Sequence, residues 1–126
     1  DMKVFSHLVY EYEKGVRNLV LYTISEEYTP LALGKLSHRE IEYFVQPVPN
    51  KSCVNIFFGR SECLKTLKKF LRERPLNSLS PEEDFILGAL LGYDLCRQCE
   101  RYCKRVEHAE SVRKASEQPM LIYTNI

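Results

Sequence analysis

Three cysteines near the end of the chain have a spacing that invites a chemical interpretation. Cys96, Cys99 and Cys103 form the pattern C-x2-C-x3-C, which in a loop would suit zinc or an iron–sulfur cluster. On a helix, at 100° per residue, the three thiols instead share an apolar stripe with Leu95 and Val106, where free cysteine acts as a small hydrophobic side chain. A fourth ligand has no position fixed by local spacing. We therefore predict core thiols, no metal site and no cofactor.

A near match to a nucleophile motif follows the second strand of a predicted hairpin. The segment GRSEC at 59–63 resembles G-x-S-x-G, but a cysteine replaces the second glycine. Ser61 is better explained as a helix cap. The backbone amides of the helix start, with Arg60 beside them, predict at most a small-anion site, and no catalytic residue is assigned.

Four cations recur on the helix that begins there. Lys65, Lys68, Lys69 and Arg72 stand at i, i+3, i+4 and i+7, so they share one outward face. A solvated surface is the ordinary explanation of such a stripe. The functional hypothesis is that the stripe contacts an acidic protein partner.

Two glycines, Gly88 and Gly92, lie four residues apart on an apolar helix and let another backbone approach closely. That neighbour belongs either to the same chain or to a second copy across a dimer axis. A three-stranded sheet from so short a chain also leaves an unprotected edge. Both features predict a homodimer.

Composition narrows the class of protein. The 126 residues make one domain, and a net charge of +1 does not favour a dedicated nucleic-acid binder. No apolar run approaches the length of a membrane span, and the first residues do not form a signal peptide. Five cysteines, an odd number, fit a reducing compartment. We expect a soluble, cytoplasmic protein.

The first half of the chain predicts five elements. Residues 3–11 are rich in Val, Phe, Leu and Tyr and predict a strand, and the spacing over 16–25 predicts a helix. Thr29 and Pro30 mark the start of a second helix. The runs 41–48 and 53–58, joined by a polar turn, predict a β-hairpin.

The second half predicts three helices. One runs from a Ser61 cap to about Arg74, and the next follows a capping box formed by Ser80 and Glu83. Asp94 caps a last helix that reaches about Val112. The result is an α+β domain over residues 2–115, with a three-stranded sheet covered on one face by about five helices. The tail 116–126 ends in a β-like run that leaves open a fourth strand.

Four segments carry a resemblance to a known family: KGVRNLVL at 14–21, VNIFFG at 54–59, PEEDFILGALLGYD at 81–94 and QCERY at 98–102. Over about residues 2–105 the chain resembles a bacterial family of roughly 120-residue proteins catalogued as a domain of unknown function. The resemblance implies three strands, five helices and a homodimer, and it implies no activity and no catalytic residues. It also suggests flavodoxin-type electron carriers as functional neighbours.

Together these features favour a homodimeric interaction module over an enzyme. One alternative is a redox accessory that docks on a flavodoxin-type carrier, which would be an acidic partner of the predicted kind. Another is a small-anion or metal-binding protein. Neither a membrane nor a nucleic acid is favoured as a partner.

Overall fold

A computed structural model describes the backbone of residues 2–124 and the side chains of residues 2–116. Its helices and strands, in chain order, are α1 Met2–Glu13, β1 Leu19–Ser25, α2 Thr29–His38, β2 Glu42–Pro47, β3 Cys53–Gly59, α3 Ser61–Phe70, α4 Pro81–Leu90 and α5 Leu95–Thr124. This confirms the α+β class and the three strands and five helices that the family resemblance implies.

The sheet is antiparallel, with the order β1-β3-β2. The predicted hairpin is β2–β3, in which Phe44 lies opposite Phe57, and Leu21 of β1 lies opposite Phe57 on the other side. Asn50 in the hairpin turn has a φ of 62°, a conformation that asparagine tolerates better than most residues. Both outer strands, β1 and β2, are sheet edges within the described chain.

Helices cover both faces of the sheet, which corrects the prediction of a single covered face. Two helices, α1 and α2, close one core, whose largest side chains include Phe5, Leu36 and Phe58. The other core lies under α3 and α4 and includes Leu64, Leu67 and Phe57. Since successive residues of β3 point to opposite faces, the strand is buried along almost its whole length.

The first two predicted elements are wrong in type. Residues 3–11 lie in helix α1, where Phe5 and Val9 are four apart and point to the sheet. Residues 19–25, predicted as part of a helix, form β1. Leu19 contributes to one core and Val20 to the other, the two-faced burial of a strand. A helix that covers a sheet and a strand buried on both faces can have similar apolar content.

The later boundaries are mostly as predicted. Pro30 lies in the first turn of α2. The Ser80 hydroxyl accepts a hydrogen bond from the Glu83 N–H, and the Glu83 carboxylate accepts one from the Ser80 N–H, which confirms the capping box. Asp94 also caps as predicted, because its Oδ2 accepts a hydrogen bond of 2.9 Å from the Arg97 N–H.

Three boundary predictions are wrong. Helix α3 ends at Phe70, not near Arg74, and its N-cap position is Arg60, not Ser61. Helix α5 continues past Val112 to Thr124. Residues 120–124, proposed as part of a fourth strand, are therefore helical, while 125 and 126 lie outside the described residues. Among the described helices, none has the length and apolar character needed to cross a membrane.

A row of polar side chains crosses the sheet with one residue from each strand. Thr23 donates a hydrogen bond of 2.6 Å to Asn55, Asn55 donates one of 3.3 Å to Gln46, and Gln46 donates one to the carbonyl oxygen of Arg74. Gln46 and Asn55 are the two buried polar side chains among the described residues. The row ties the sheet to the connection between α3 and α4.

Replacing Gln46 by Leu should lower the free energy of unfolding by about 1–3 kcal/mol, because the Asn55 amide and the Arg74 carbonyl lose a buried partner. Urea denaturation measures the change. Ser78→Ala is the control, since it removes an exposed hydrogen bond in the same connection and should cost much less. Equal losses of unfolding free energy in the two variants would show that the row of polar side chains does not stabilise the fold.

Candidate interaction surfaces

The predicted basic stripe is exposed on α3. Leu64 and Leu67 of this helix are buried against the sheet, so Lys65, Lys68 and Lys69 point away from the core. The ammonium group of Lys68 lies 5.3 Å from the centre of the Phe44 ring, a cation–π distance that holds the side chain against the edge strand β2. Lys68 and Lys69 also lie in the last turn of α3, where positive charge is favourable.

Arg72, the fourth member of the stripe, does not lie on the helix. Because α3 ends at Phe70, Arg72 falls in the following connection and has a φ of 48°. It is exposed, but its position is not set by the helical face. Neither Arg72 nor the three lysines form an ion pair with any residue that the structure describes. Their charge is therefore uncompensated within the described chain.

The predicted anion site at the start of α3 is already partly neutralised. Arg60 pairs with Glu62 at 3.1 Å, and this hydrogen bond raises the pKa of the Arg60 guanidinium. Ser61 is the first residue of the helix and is not its cap. The carboxylate of Glu62 therefore stands where an added anion would have to bind.

The same segment contains a partly buried thiol. Burial raises the pKa of Cys63, and the neighbouring Glu62 carboxylate raises it further, whereas Arg60 lowers it. At neutral pH the protonated form is favoured, and the protonated thiol is a poor nucleophile. The segment 59–63 therefore does not build an activated cysteine.

The prediction that Cys96, Cys99 and Cys103 pack in the core is wrong, because all three are exposed. Helix α5 packs on α4 through another face, from which Gln98 meets α4 and Arg105 reaches the connection before it. The three thiols do share a stripe, but that stripe lies beside the contact, where Cys99 and Cys103 are open to solvent. No group of three or more potential metal ligands occurs among the described residues.

The two glycines have different roles. Gly88 faces Gln98, and a Cβ atom at Gly88 would clash with the Gln98 side chain, so this glycine lets α5 pack closely on α4 within the same chain. Gly92 has a φ of 76° and follows the end of α4, a left-handed position that suits glycine. Packing within the chain thus accounts for Gly88, whereas the left-handed backbone accounts for Gly92, where a Cβ atom would meet nothing within 4 Å. Their part in a dimer contact stays a prediction.

Ion pairs fix α5 to α4. The Asp84 carboxylate forms ion pairs with Arg101 at 2.6 Å and with Arg105 at 3.4 Å. These arginines lower the pKa of the Asp84 carboxyl group. Arg105 also donates a hydrogen bond to the carbonyl oxygen of Leu79, and Tyr102 donates one of 2.9 Å to Glu82. The first three turns of α5 are thereby held in one orientation.

A second ion pair anchors the start of α4. Arg74 donates two hydrogen bonds, of 2.7 and 2.8 Å, to the Glu83 carboxylate, which also accepts the Ser80 N–H of the capping box. These donors lower the pKa of Glu83 to about 2, with the Arg74 hydrogen bond as the largest cause. Arg74 thus links the connection after α3 to both the sheet and α4.

Between α4 and α5 runs an open apolar groove of about 390 Å³ that the sequence did not reveal. Its lining residues are Glu82, Phe85, Ile86, Cys99, Tyr102 and Cys103. The rings of Phe85 and Tyr102 meet edge to face, with centroids 5.8 Å apart. Ile86 is 39% exposed, so part of the apolar lining faces solvent. Phe85 and Ile86 are apolar but lie outside the buried side of α4, and this pattern is the feature of the sequence that could have indicated the groove.

The architecture and these surfaces define a small α+β domain whose exposed features are helical faces. A family model described as "Protein of unknown function (DUF2023)" matches residues 3–105, and the chain belongs to that family. The match ends within α5 at Arg105, the last described residue of α5 that forms an ion pair with α4. No curated protein matches the chain.

Thiol reactivity should separate the cysteines into two groups. Cys96, Cys99 and Cys103 should react rapidly with a disulfide reagent in the folded single chain, because they are exposed there. Cys53 and Cys63 should react more slowly, and at Cys63 the raised pKa adds to the effect of burial. Mass spectrometry of peptides labelled at a dilution where the single chain predominates assigns the rates, and slow labelling there at any of the three on α5 would contradict the exposure.

Acid stability should depend on Glu83. Its pKa falls from 4.5 to about 2 on folding, so its stabilising contribution is complete above about pH 4.5 and is lost as the pH falls toward 2. Glu83→Gln should therefore show a smaller drop in melting temperature across this range than the unmodified chain. Glu73→Gln, at an exposed residue without an ion pair in the described chain, should leave the drop unchanged. Parallel curves for all three proteins would exclude the Arg74–Glu83 contribution.

Proposed function

We propose that the protein is a homodimeric interaction module without enzymatic activity. The observation that carries this proposal is the exposure of α5. The helix has 30 residues and is therefore about 45 Å long. None of its residues from 95 to 116 is buried.

Such a helix is poorly supported by its own chain. Contacts with α4 and its preceding connection hold the part from Leu95 to about Val106, and residues 107–116 are exposed on every side. Helices in proteins derive most of their stability from packing of an apolar face. A partner that covers the remaining part would supply this packing, and a second copy is always present at the same concentration.

The first test is the mass in solution. Light scattering coupled to size-exclusion chromatography at micromolar concentration should give twice the chain mass of 14.8 kDa. Dilution should shift the mass toward the monomer if the contact is limited to helices. A mass that stays at one chain up to the highest soluble concentration would contradict the homodimer.

A second surface of the module is the basic stripe on α3. We propose that Lys65, Lys68 and Lys69 contact an acidic protein, for which a flavodoxin-type electron carrier is a suitable representative. Four cations without ion pairs in the described chain, Arg72 among them, create a local positive field on a protein of net charge +1. Such a field steers an acidic partner and fixes its orientation more than it adds affinity.

The redox-accessory alternative uses the same docking surface and adds the exposed thiols of α5, which are accessible to a reactive partner. Replacing Cys96, Cys99 and Cys103 by Ala distinguishes the two hypotheses, because a binding module keeps its affinity without them. The small-anion alternative has less support, since Glu62 already pairs with Arg60.

Charge reversal tests the α3 surface. Lys65→Glu with Lys69→Glu should weaken binding to a purified acidic flavodoxin at least tenfold, while Lys68 keeps its contact with Phe44. The matched control is Lys35→Glu with Lys51→Glu, which changes the net charge equally at sites away from α3. Binding of the unmodified chain should weaken as salt is raised, because exposed charges are screened within about 8 Å at physiological ionic strength. Equal affinities for both double variants would exclude the stripe.

A further inference from the structure

We propose that two copies associate through their α4–α5 helix pairs, with the projecting segment of each α5, residues 107–116, in the α4–α5 groove of the other copy. This inference rests on the proposed homodimer and assigns its contact surface. The helices α5 run antiparallel about a twofold axis near Glu107. Four helices, two from each copy, then form one bundle.

The groove offers an apolar surface of suitable shape for a helix. Phe85, Ile86 and Tyr102 form its walls, and the uncharged thiols of Cys99 and Cys103 line the α5 side. It lies between two helices that are fixed by ion pairs, so it is largely preformed. An amphipathic helix laid in a groove of this kind is a recurrent mode of protein recognition.

The projecting segment offers the complementary stripe. Ala109, Val112 and Ser116 recur at i, i+3 and i+7, and Val112 is 55% exposed. They continue the α5 face that carries Gln98 and Arg105, by which the helix packs on its own α4. Helix α4 begins at Pro81, which lies near Ala109, so the stripe beyond that point has no cover among the described residues. The small side chains allow a close helix approach.

Charge complementarity selects a second copy and sets the antiparallel direction. Glu82 lies at the rim of the groove and binds the Tyr102 hydroxyl, but it has no cation partner among the described residues. Arg113 borders the projecting stripe and has no carboxylate partner among the described residues. In the antiparallel arrangement, Val112 of one copy enters beside Cys103 and Tyr102 of the other, which brings Arg113 to the Glu82 side of the groove.

The arrangement is reciprocal, which is what a closed dimer requires. Each copy supplies one groove and one projecting segment, so both surfaces are used in a single association step. A groove and a segment that met without twofold closure would instead leave one of each free and build a filament. The occupant is therefore a second copy of the chain, held by two identical contacts.

A carboxylate in the stripe tests the packing. Val112→Asp should raise the dimer dissociation constant at least tenfold, as measured by sedimentation equilibrium. The control is Ser111→Asp, which adds the same charge in the same turn on another side of the helix and should leave the constant within about threefold. Folding is not at risk, since Val112 is half exposed in the single chain, and circular dichroism verifies it.

Charge exchange tests the direction. Glu82→Lys and Arg113→Glu should each weaken the dimer severalfold on their own, whereas the two changes together should restore it to within about threefold of the unmodified chain. A monomeric unmodified chain would overturn both the homodimer and this surface. A dimer that is insensitive to Val112→Asp, or that is not restored by the charge exchange, would overturn the surface alone and move the contact to another site, such as the β1 edge.

Discussion

The burial of β3 on both faces is the constraint on which the rest of the structure depends. A strand with Phe57 on one side and Phe58 on the other needs an apolar cover above and below the sheet. Three strands are too narrow to close on themselves, so the chain must supply helices for both sides. It does so by placing α1 and α2 on one face and α3 and α4 on the other. Helix α5 is then left without a sheet surface and packs on α4 and the connection before it.

Polar interactions decide where that last layer lies. Arg74 is the central residue of these interactions. Its carbonyl oxygen accepts a hydrogen bond from Gln46 of the sheet, and its guanidinium binds the Glu83 carboxylate at the start of α4. Asp84, the next residue on α4, forms ion pairs with Arg101 and Arg105 of α5. The order sheet, connection, α4 and α5 is therefore a continuous series of hydrogen bonds and ion pairs. Apolar packing builds the domain, and this series orients the helix pair that forms its exposed surfaces.

Local signals in the sequence were sufficient where the local chemistry determines the structure. The hairpin β2–β3, the Ser80 capping box and the Asp94 cap each depend on a few neighbouring residues, and all were predictable. The types of α1 and β1 were not, because both segments mix Val, Leu and Tyr, and only the sheet decides which one pairs with β3. The cysteines of α5 illustrate the same limit. Their stripe was correctly placed on a helix, but the face that packs was set by Arg101 and Arg105, whose partner Asp84 lies 17 residues or more away in sequence.

The contact between Gly88 and Gln98 lies near one end of α5, so a small change of angle there moves the other end by a much larger distance. It lies close to the fixed end of a helix about 45 Å long, so a tilt of about 5° at this point displaces the far end by about 4 Å. A Cβ atom at position 88 would displace the Gln98 side chain from its place against α4. A small change in the contacts at the held end, including the Asp84 ion pairs, is therefore enlarged in the distant part of the helix, far from the residues that cause it.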